Sequence, residues 1–205
     1  MKSGLNLRRA AEVIRDGGVI IFPTDTFYGL GADATNPSAV RKVFMVKGRS
    51  ADKPISVLVP DRRKTEALVS EMPHEAVILM DHFWPGPLTL IFKASPSIPE
   101  ILTAGTGKIG IRIPDNPLTI ELLNLCGVPL TATSANPSGG MNASTVDEVE
   151  DSIKQGVDLI IDGGRTKGEK ESTVLDIAES PLVIIREGMI SREALGSILN
   201  HGERC

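Results

Sequence analysis

Hydroxyl-bearing and cationic side chains gather in three short stretches of this 205-residue chain. The first, Phe22-Pro23-Thr24-Asp25-Thr26-Phe27-Tyr28-Gly29-Leu30-Gly31, crowds threonines at the end of an apolar run. Ligands of α/β sheets bind outside the carboxyl ends of strands, so these hydroxyls suit a small polar substrate; capping of a turn is the other reading. The second, Lys47-Gly48-Arg49-Ser50-Ala51-Asp52-Lys53-Pro54, sets three cations within seven residues. Lys offers a mobile point charge and Arg a planar fork that matches phosphate oxygens, although a solvated loop also explains such a cluster. The third, Pro129-Leu130-Thr131-Ala132-Thr133-Ser134-Ala135-Asn136-Pro137-Ser138-Gly139-Gly140, runs from a strand into a loop of hydroxyls, a carboxamide and glycines. Backbone N–H groups in such a loop, helped by Ser134 and Asn136, can cradle phosphate or ribose. An ordinary turn would explain the glycines but not Thr131, Thr133 and Ser134 together.

Two smaller pieces add to these. Arg112 interrupts the apolar strand Ile109 to Ile113. A charge on a strand is costly to bury alone, so Arg112 is expected to meet an anion. The other is Glu171-Ser172-Thr173-Val174, followed by Ile185-Arg186-Glu187-Gly188.

Other chemistries are absent from the sequence. Gly105-Thr106-Gly107-Lys108-Ile109-Gly110 matches G-x-G-x-x-G, but a strand follows it where a dinucleotide site needs a helix. There is no G-x-x-x-x-G-K-[ST] loop and no H-E-x-x-H. His74, His82 and His201 are scattered, and Cys126 and Cys205 are too few for a disulfide framework or a zinc site. No metal-ligating residues are assigned.

Aliphatic elements must hold these pieces in place. The chain is 41% hydrophobic but only 3% aromatic, with 20 Gly and 14 Pro: an ordered, turn-rich domain with an aliphatic core. Leu5, Ala10, Val13 and Ile14 form one stripe of a helix over 5–15, stopped by Gly17-Gly18 and followed by the strand Val19 to Phe22. Apolar strands recur at 55–59, 88–92, 109–113, 157–161, 173–177 and 182–186, with helices near 38–46, 62–70, 74–83, 117–125 and 191–199. This interleaving predicts an α/β domain over 5–199 with a largely buried twisted sheet, and a flexible tail at 200–205. The net charge of −4 disfavours a surface given over to nucleic acid. No apolar run approaches the ~20 residues that span a bilayer, no leader opens the chain, and a cytoplasmic location is expected.

Taken in order, PTDTFYGLG (23–31), KGRSADKP (47–54), WPGPLTL (84–90), GIRIP (110–114), TSANPSG (133–139), ESTV (171–174) and IREG (185–188) resemble the YrdC-like family. The likeness runs from about Ala10 to Leu195 and implies a twisted, open mixed sheet flanked by helices, with a concave basic face. Members make threonylcarbamoyl-AMP and pyrophosphate from L-threonine, bicarbonate and ATP, and so act as nucleotidyltransferases supplying threonylcarbamoyl for tRNA adenosine modification. The resemblance points to the short, single-domain form of the family.

It also implies residue roles. Lys47, Arg49 and Lys53 would contact phosphate and carbamate, Ser134, Asn136 and Arg186 the nucleotide, and Thr24, Arg112, Thr131 and Ser172 the threonine, with Thr133 and Tyr28 as second choices. Mg2+ would be carried by the nucleotide. RNA contact on the basic face and downstream threonylcarbamoyl-transfer proteins complete the expected partners. Two positions depart from the common family pattern: Ser50, where Pro is frequent, and Leu58, where many longer members have His. The alternatives are a non-catalytic RNA-binding protein, or carbamoyl transfer from carbamoyl phosphate.

Overall fold

The computed structural model describes residues 2–202. Helix α1 (Lys2–Arg15) turns Leu7, Ala10, Val13 and Ile14 to one buried side and ends before Gly17, whose φ of 75° only a residue without Cβ adopts readily. The chain then enters β1 (Ile20–Phe22) and returns antiparallel as β2 (Gly29–Gly31). The sequence gives β2 no apolar signal, because two of its three residues lack side chains. Gly31 is needed there: a Cβ would stand 2.5 Å from the ring of Phe22.

Asn36 caps α2 (Pro37–Lys47) by accepting from the N–H groups of Ser38 and Ala39 at 3.0 and 3.3 Å, and Pro37 supplies the helical φ. Gly48, at φ 59°, ends the helix directly after Lys47. The chain continues through β3 (Ser56–Leu58), α3 (Arg62–Glu66), α4 (His74–Phe83), β4 (Leu88–Lys93), α5 (Glu100–Thr103) and β5 (Lys108–Arg112). It closes with α6 (Pro117–Cys126), β6 (Leu130–Ser134), α7 (Asp151–Gln155), β7 (Leu159–Ile160), β8 (Thr173–Asp176), β9 (Val183–Arg186) and α8 (Arg192–Gly202).

The strands form one mixed sheet in the order β7-β1-β2-β6-β3-β5-β4-β8-β9. The β7·β1, β3·β5 and β4·β8 pairs are parallel, the rest antiparallel. Both faces are apolar, but they are covered unequally. Ile21, Leu30, Val57, Leu88, Leu90, Phe92, Ile109, Ile111 and Leu175 pack under α2, α4, α5, α7 and α8. On the other face Ile20, Phe22, Leu58 and Leu130 pack with Leu7 and Ile14 of α1 and Leu122 and Leu123 of α6. These two helices roof the β1 side of that face, and the β5-β4-β8 side lies open.

Several boundaries differ from the sequence reading. The 157–161 strand shrinks to Leu159–Ile160, the 62–70 helix ends at Glu66, and the short helices α5 and α7 were not anticipated. Four- and five-residue helices are too brief to show a periodicity. The supposed tail is corrected in part: α8 runs to Gly202, so Asn200 is helical, while residues 203–205 lie outside those described. Among the described residues no helix is long and apolar enough to cross a membrane.

Candidate active site

The open half of the sheet carries a cavity of about 690 Å³, within the range of small-molecule sites. Strand register decides what floors it. Gly29 pairs with Ser134, Ser56 with Ala132, Leu58 with Arg112, Ile91 with both Gly110 and Asp176, and Thr89 with Val174. Paired residues share a face, so these all project to one side while the intervening Val57, Ile111, Leu90 and Leu175 enter the core. Small and polar residues on alternate positions leave the space. At Gly110 a Cβ would come within 2.6 Å of Ser56 Oγ.

The loop after β1 forms one wall through an ordered chain of donors. Thr24 donates its hydroxyl to Phe27 O at 2.7 Å, so in its 3.0 Å contact with Thr26 it must accept. The Thr26 oxygen in turn accepts from Arg112 Nη1 at 3.3 Å. Arg112 also forms a short ion pair with Asp25, the two side chains being 7% and 10% exposed. Thus Arg112 does meet an anion, and that anion belongs to the protein. Burial lowers the guanidinium's pKa and Asp25 opposes the shift. Arg112 Nε and Asp25 Oδ2 remain buried without partners.

The opposite wall is tied to α2. Lys47, 4% exposed, donates to Ser134 O at 2.6 Å, Asn136 O at 2.8 Å and Asn136 Oδ1 at 2.7 Å. Its own carbonyl accepts from Ser138 N at 2.9 Å. One lysine therefore fixes the 134–138 turn through both backbone and side chain. Ser134 Oγ donates to Asn136 Oδ1 at 2.6 Å, and Asn136 Nδ2 reaches Gly140 O. Burial lowers the Lys47 pKa to about 8, with Arg49 adding to the effect. Arg49 closes its own loop, donating to Lys53 O at 3.0 Å and Pro54 O at 2.8 Å, and Lys53 is exposed at the rim.

At the far end Ser172 Oγ lies 3.0 Å from Thr89 Oγ1 and accepts from Arg186 at 3.2 Å. Arg186 also pairs with Glu171 at 2.5 Å, and Glu171 accepts from Asn142 at 3.0 Å. A bulge between β8 and β9 skips Ile185 and sets Arg186 opposite Val174 on the cavity face, a local device for re-aiming a side chain. Gly188 permits this turn, since a Cβ there would overlap the backbone of Glu171 and Ser172.

The structure gathers Lys47, Arg49, Lys53, Ser134, Asn136, Arg112, Ser172, Arg186, Thr24, Thr133 and Tyr28 around the one cavity. One expectation is corrected. Thr131 is fully buried on the core face of β6 and accepts from Ala32 N at 2.9 Å, because a strand of period two cannot present both Thr131 and Ala132 to the same side. Thr24 lines the cavity, with its hydroxyl proton given to Phe27 O. Tyr28 is an anchor: its hydroxyl donates to Gly164 O at 2.7 Å and accepts from Gly163 N at 3.1 Å.

The residues not anticipated are Asp25, Thr89, Lys108, Asn142, Glu171 and Asp176. A signal existed for Thr89 and Lys108, each polar at alternate positions of an otherwise apolar strand. None existed for the carboxylates, whose partners lie far along the chain. No cluster of three or more metal-ligating side chains occurs among the described residues.

The cations divide into two groups. Lys108 pairs with Asp176 at 2.9 Å and Glu179 at 3.3 Å, Arg112 with Asp25, and Arg186 with Glu171. Lys47, Arg49 and Lys53 have no carboxylate at ion-pair distance among the described residues; Asp52, in their loop, is fully exposed. Positive charge free of ion pairs beside a glycine- and hydroxyl-rich turn suits phosphate, and an oriented, charge-balanced guanidinium suits a carboxylate.

Comparison with known proteins agrees with this geometry. The Sua5/YciO/YrdC family model, described as "Telomere recombination", matches residues 12–188. A Pyrococcus abyssi threonylcarbamoyl-AMP synthase is 38% identical over 193 residues, covering 94% of this chain and 57% of that protein. The Bacillus subtilis protein of the same name is 39% identical over 194 residues, covering 94% and 56%. This chain thus spans little more than half the length of either relative. The crystal structure of P. abyssi Sua5 complexed with L-threonine superposes with a TM-score of 0.91 at 38% identity, over 94% of this chain and 56% of that one.

Proposed function

This chain belongs to the Sua5/YciO/YrdC family, and from that membership we propose that it is a threonylcarbamoyl-AMP synthase, a nucleotidyltransferase. It joins L-threonine, bicarbonate and ATP into threonylcarbamoyl-AMP and pyrophosphate, for transfer to tRNA adenosine by downstream proteins. The observation that carries this reading is the division of one cavity into a cationic end at Lys47, Arg49 and Lys53, without ion-pair carboxylates among the described residues, and a charge-balanced end at Arg112 and Ser172. Two relatives bear the synthase name, and the related P. abyssi Sua5 structure is a complex with L-threonine.

In this reaction the deprotonated amine of threonine takes up bicarbonate with loss of water, giving a carbamate. A carbamate oxygen attacks the α-phosphorus of ATP and the bond to pyrophosphate breaks. The nucleophile comes from substrate, so the protein's work is to align two anions and stabilise charge growing on phosphorus. Arg49 and Lys53 contact the polyphosphate, and Lys47 supplies charge behind the turn it organises. Ser134 and Asn136 shape the adenylate cradle through that turn, and Arg186 reaches the nucleotide from β9. Arg112 pairs the threonine carboxylate, with Ser172 beside it. Mg2+ enters with the nucleotide. The catalytic domain spans 5–199, works in the cytoplasm, and offers its concave basic face to RNA.

The test is pyrophosphate release from ATP and bicarbonate with and without threonine. Threonine-dependent release is the expected result. Release that ignores threonine, or none from folded protein, sinks the reading in favour of carbamoyl transfer from carbamoyl phosphate or RNA binding, the latter recognised by a steep loss of affinity with salt.

A further inference from the structure

We propose that Asp25 is a specificity-determining residue that cancels the charge of Arg112 and thereby keeps polyphosphate out of the carboxylate end of the cavity. The proposal rests on the reading of two anion sites given above. Six cationic residues line the cavity: Lys47, Arg49, Lys53, Lys108, Arg112 and Arg186. If all were uncompensated, a triphosphate or pyrophosphate would find strong attraction anywhere along the floor and would compete with an amino acid for its own place. Three of the six are neutralised, each by a carboxylate from another part of the chain: Asp176 with Glu179, Asp25, and Glu171.

Arg112 is the most deeply placed of the neutralised cations, 6% exposed, against a rim position for Arg186. Its balance therefore matters most, because charges interact more strongly where water is excluded. Asp25 lies behind it: it pairs with Arg112 but is not among the residues that line the cavity. A buried carboxylate in that position cannot meet a substrate anion through Arg112 except by reducing the charge that the anion feels. The pair keeps directionality while losing net charge. Thr26 fixes one side of the guanidinium and Asp25 another. One oriented guanidinium suffices for a single carboxylate; a polyphosphate needs several cations free of ion pairs, and of the six that line the cavity only Lys47, Arg49 and Lys53 have no carboxylate at ion-pair distance among the described residues. Specificity of this kind works by denying the wrong anion rather than by adding contacts to the right one.

The experiment is calorimetric titration of the full chain with inorganic pyrophosphate, without nucleotide or amino acid, for the parent and for Asp25→Asn. The parent is expected to bind one pyrophosphate. Asp25→Asn is expected to bind a second, and Asp25→Asn/Arg112→Gln to return to one. A single site in Asp25→Asn, or a second site that survives in the double variant, overturns the proposal. Should Asp25→Asn fail to fold, Arg112→Gln tests the same partition from the other side. With Asp25 doing the work described, its pyrophosphate Kd stays within about threefold of the parent, and a weakening of about tenfold or more shows that Arg112 belongs to the polyphosphate site. The titration needs no turnover, so its outcome stands apart from whether threonine-dependent pyrophosphate release is observed.

Discussion

Replacement of Lys47 by Met separates what this residue does for the fold from what it does for nucleotide binding. Removing the ammonium orphans Asn136 O outright. Ser134 O keeps its bond from Asn136 N, and Asn136 Oδ1 keeps its bond from Ser134 Oγ. One stranded buried carbonyl costs about 1–3 kcal/mol. Against it stands the cost of burying the charge: a pKa lowered from 10.5 to about 8 corresponds, at about 1.4 kcal/mol per pH unit, to roughly 3 kcal/mol disfavouring the ammonium at neutral pH. The two nearly cancel, and Lys47→Met is expected to change unfolding free energy by less than about 2 kcal/mol in either direction. Affinity for ATP behaves otherwise. A unit charge some 4–6 Å from a phosphate at an effective dielectric of 20 contributes about 3–4 kcal/mol, a loss of roughly 10²–10³-fold in Kd.

The pH dependence carries opposite signs for the two properties. With a folded pKa below the unfolded one, the unfolded chain binds more protons between pH 8 and 10.5, so this group favours folding increasingly as pH rises through that window. ATP affinity, which uses the ammonium, falls above pH 8. Chemical denaturation and nucleotide titration of parent and Lys47→Met across pH 7–10 measure both as differences. An ATP Kd in Lys47→Met within threefold of the parent, or no difference between the proteins in its pH profile, refutes the reasoning.

Three further outcomes are expected. Thr131→Val leaves Ala32 N–H without its acceptor and should lower stability by about 1–3 kcal/mol while kcat/KM for threonine is unchanged, as read from thermal unfolding and steady-state kinetics. Gly188→Ala drives a Cβ into the Glu171–Ser172 backbone and should displace Arg186, raising KM for ATP and lowering Tm together. Gly110→Ala fills the cavity floor against Ser56 and should impair threonine more than ATP binding, measured by separate titrations of each.

The sequence reading located most elements because each rests on neighbours along the chain. The stripe of α1, the Asn36-Pro37 start of α2 and its Gly48 stop are written locally, and so is the apolar alternation of β4 and β5. It missed β2, where glycines carry no pattern, and the extent of α8, which Asn200 and two more residues continue to Gly202. Within the site, Lys47, Arg49, Lys53, Ser134, Asn136 and Arg112 stood out by type and spacing, Ser172 and Arg186 through the family resemblance, and all line the cavity. Their jobs were less legible. Thr131 and Thr24 look as reactive in sequence as Ser134 does, but the pleat of β6 turns Thr131 into the core while Thr24 lines the cavity with its hydroxyl proton given to Phe27 O.

What the sequence determined by itself is which segments are helix or strand, and which short stretches concentrate charge and hydroxyls. Tertiary structure decided the partners. Lys47 meets Asn136 across 89 residues, and Arg112 meets Asp25 across 87. Periodicity and capping are interactions over a few residues and leave their mark in local order. The charge balance of a buried cation depends on which strands pair and in what register, and that is settled by packing the whole sheet at once.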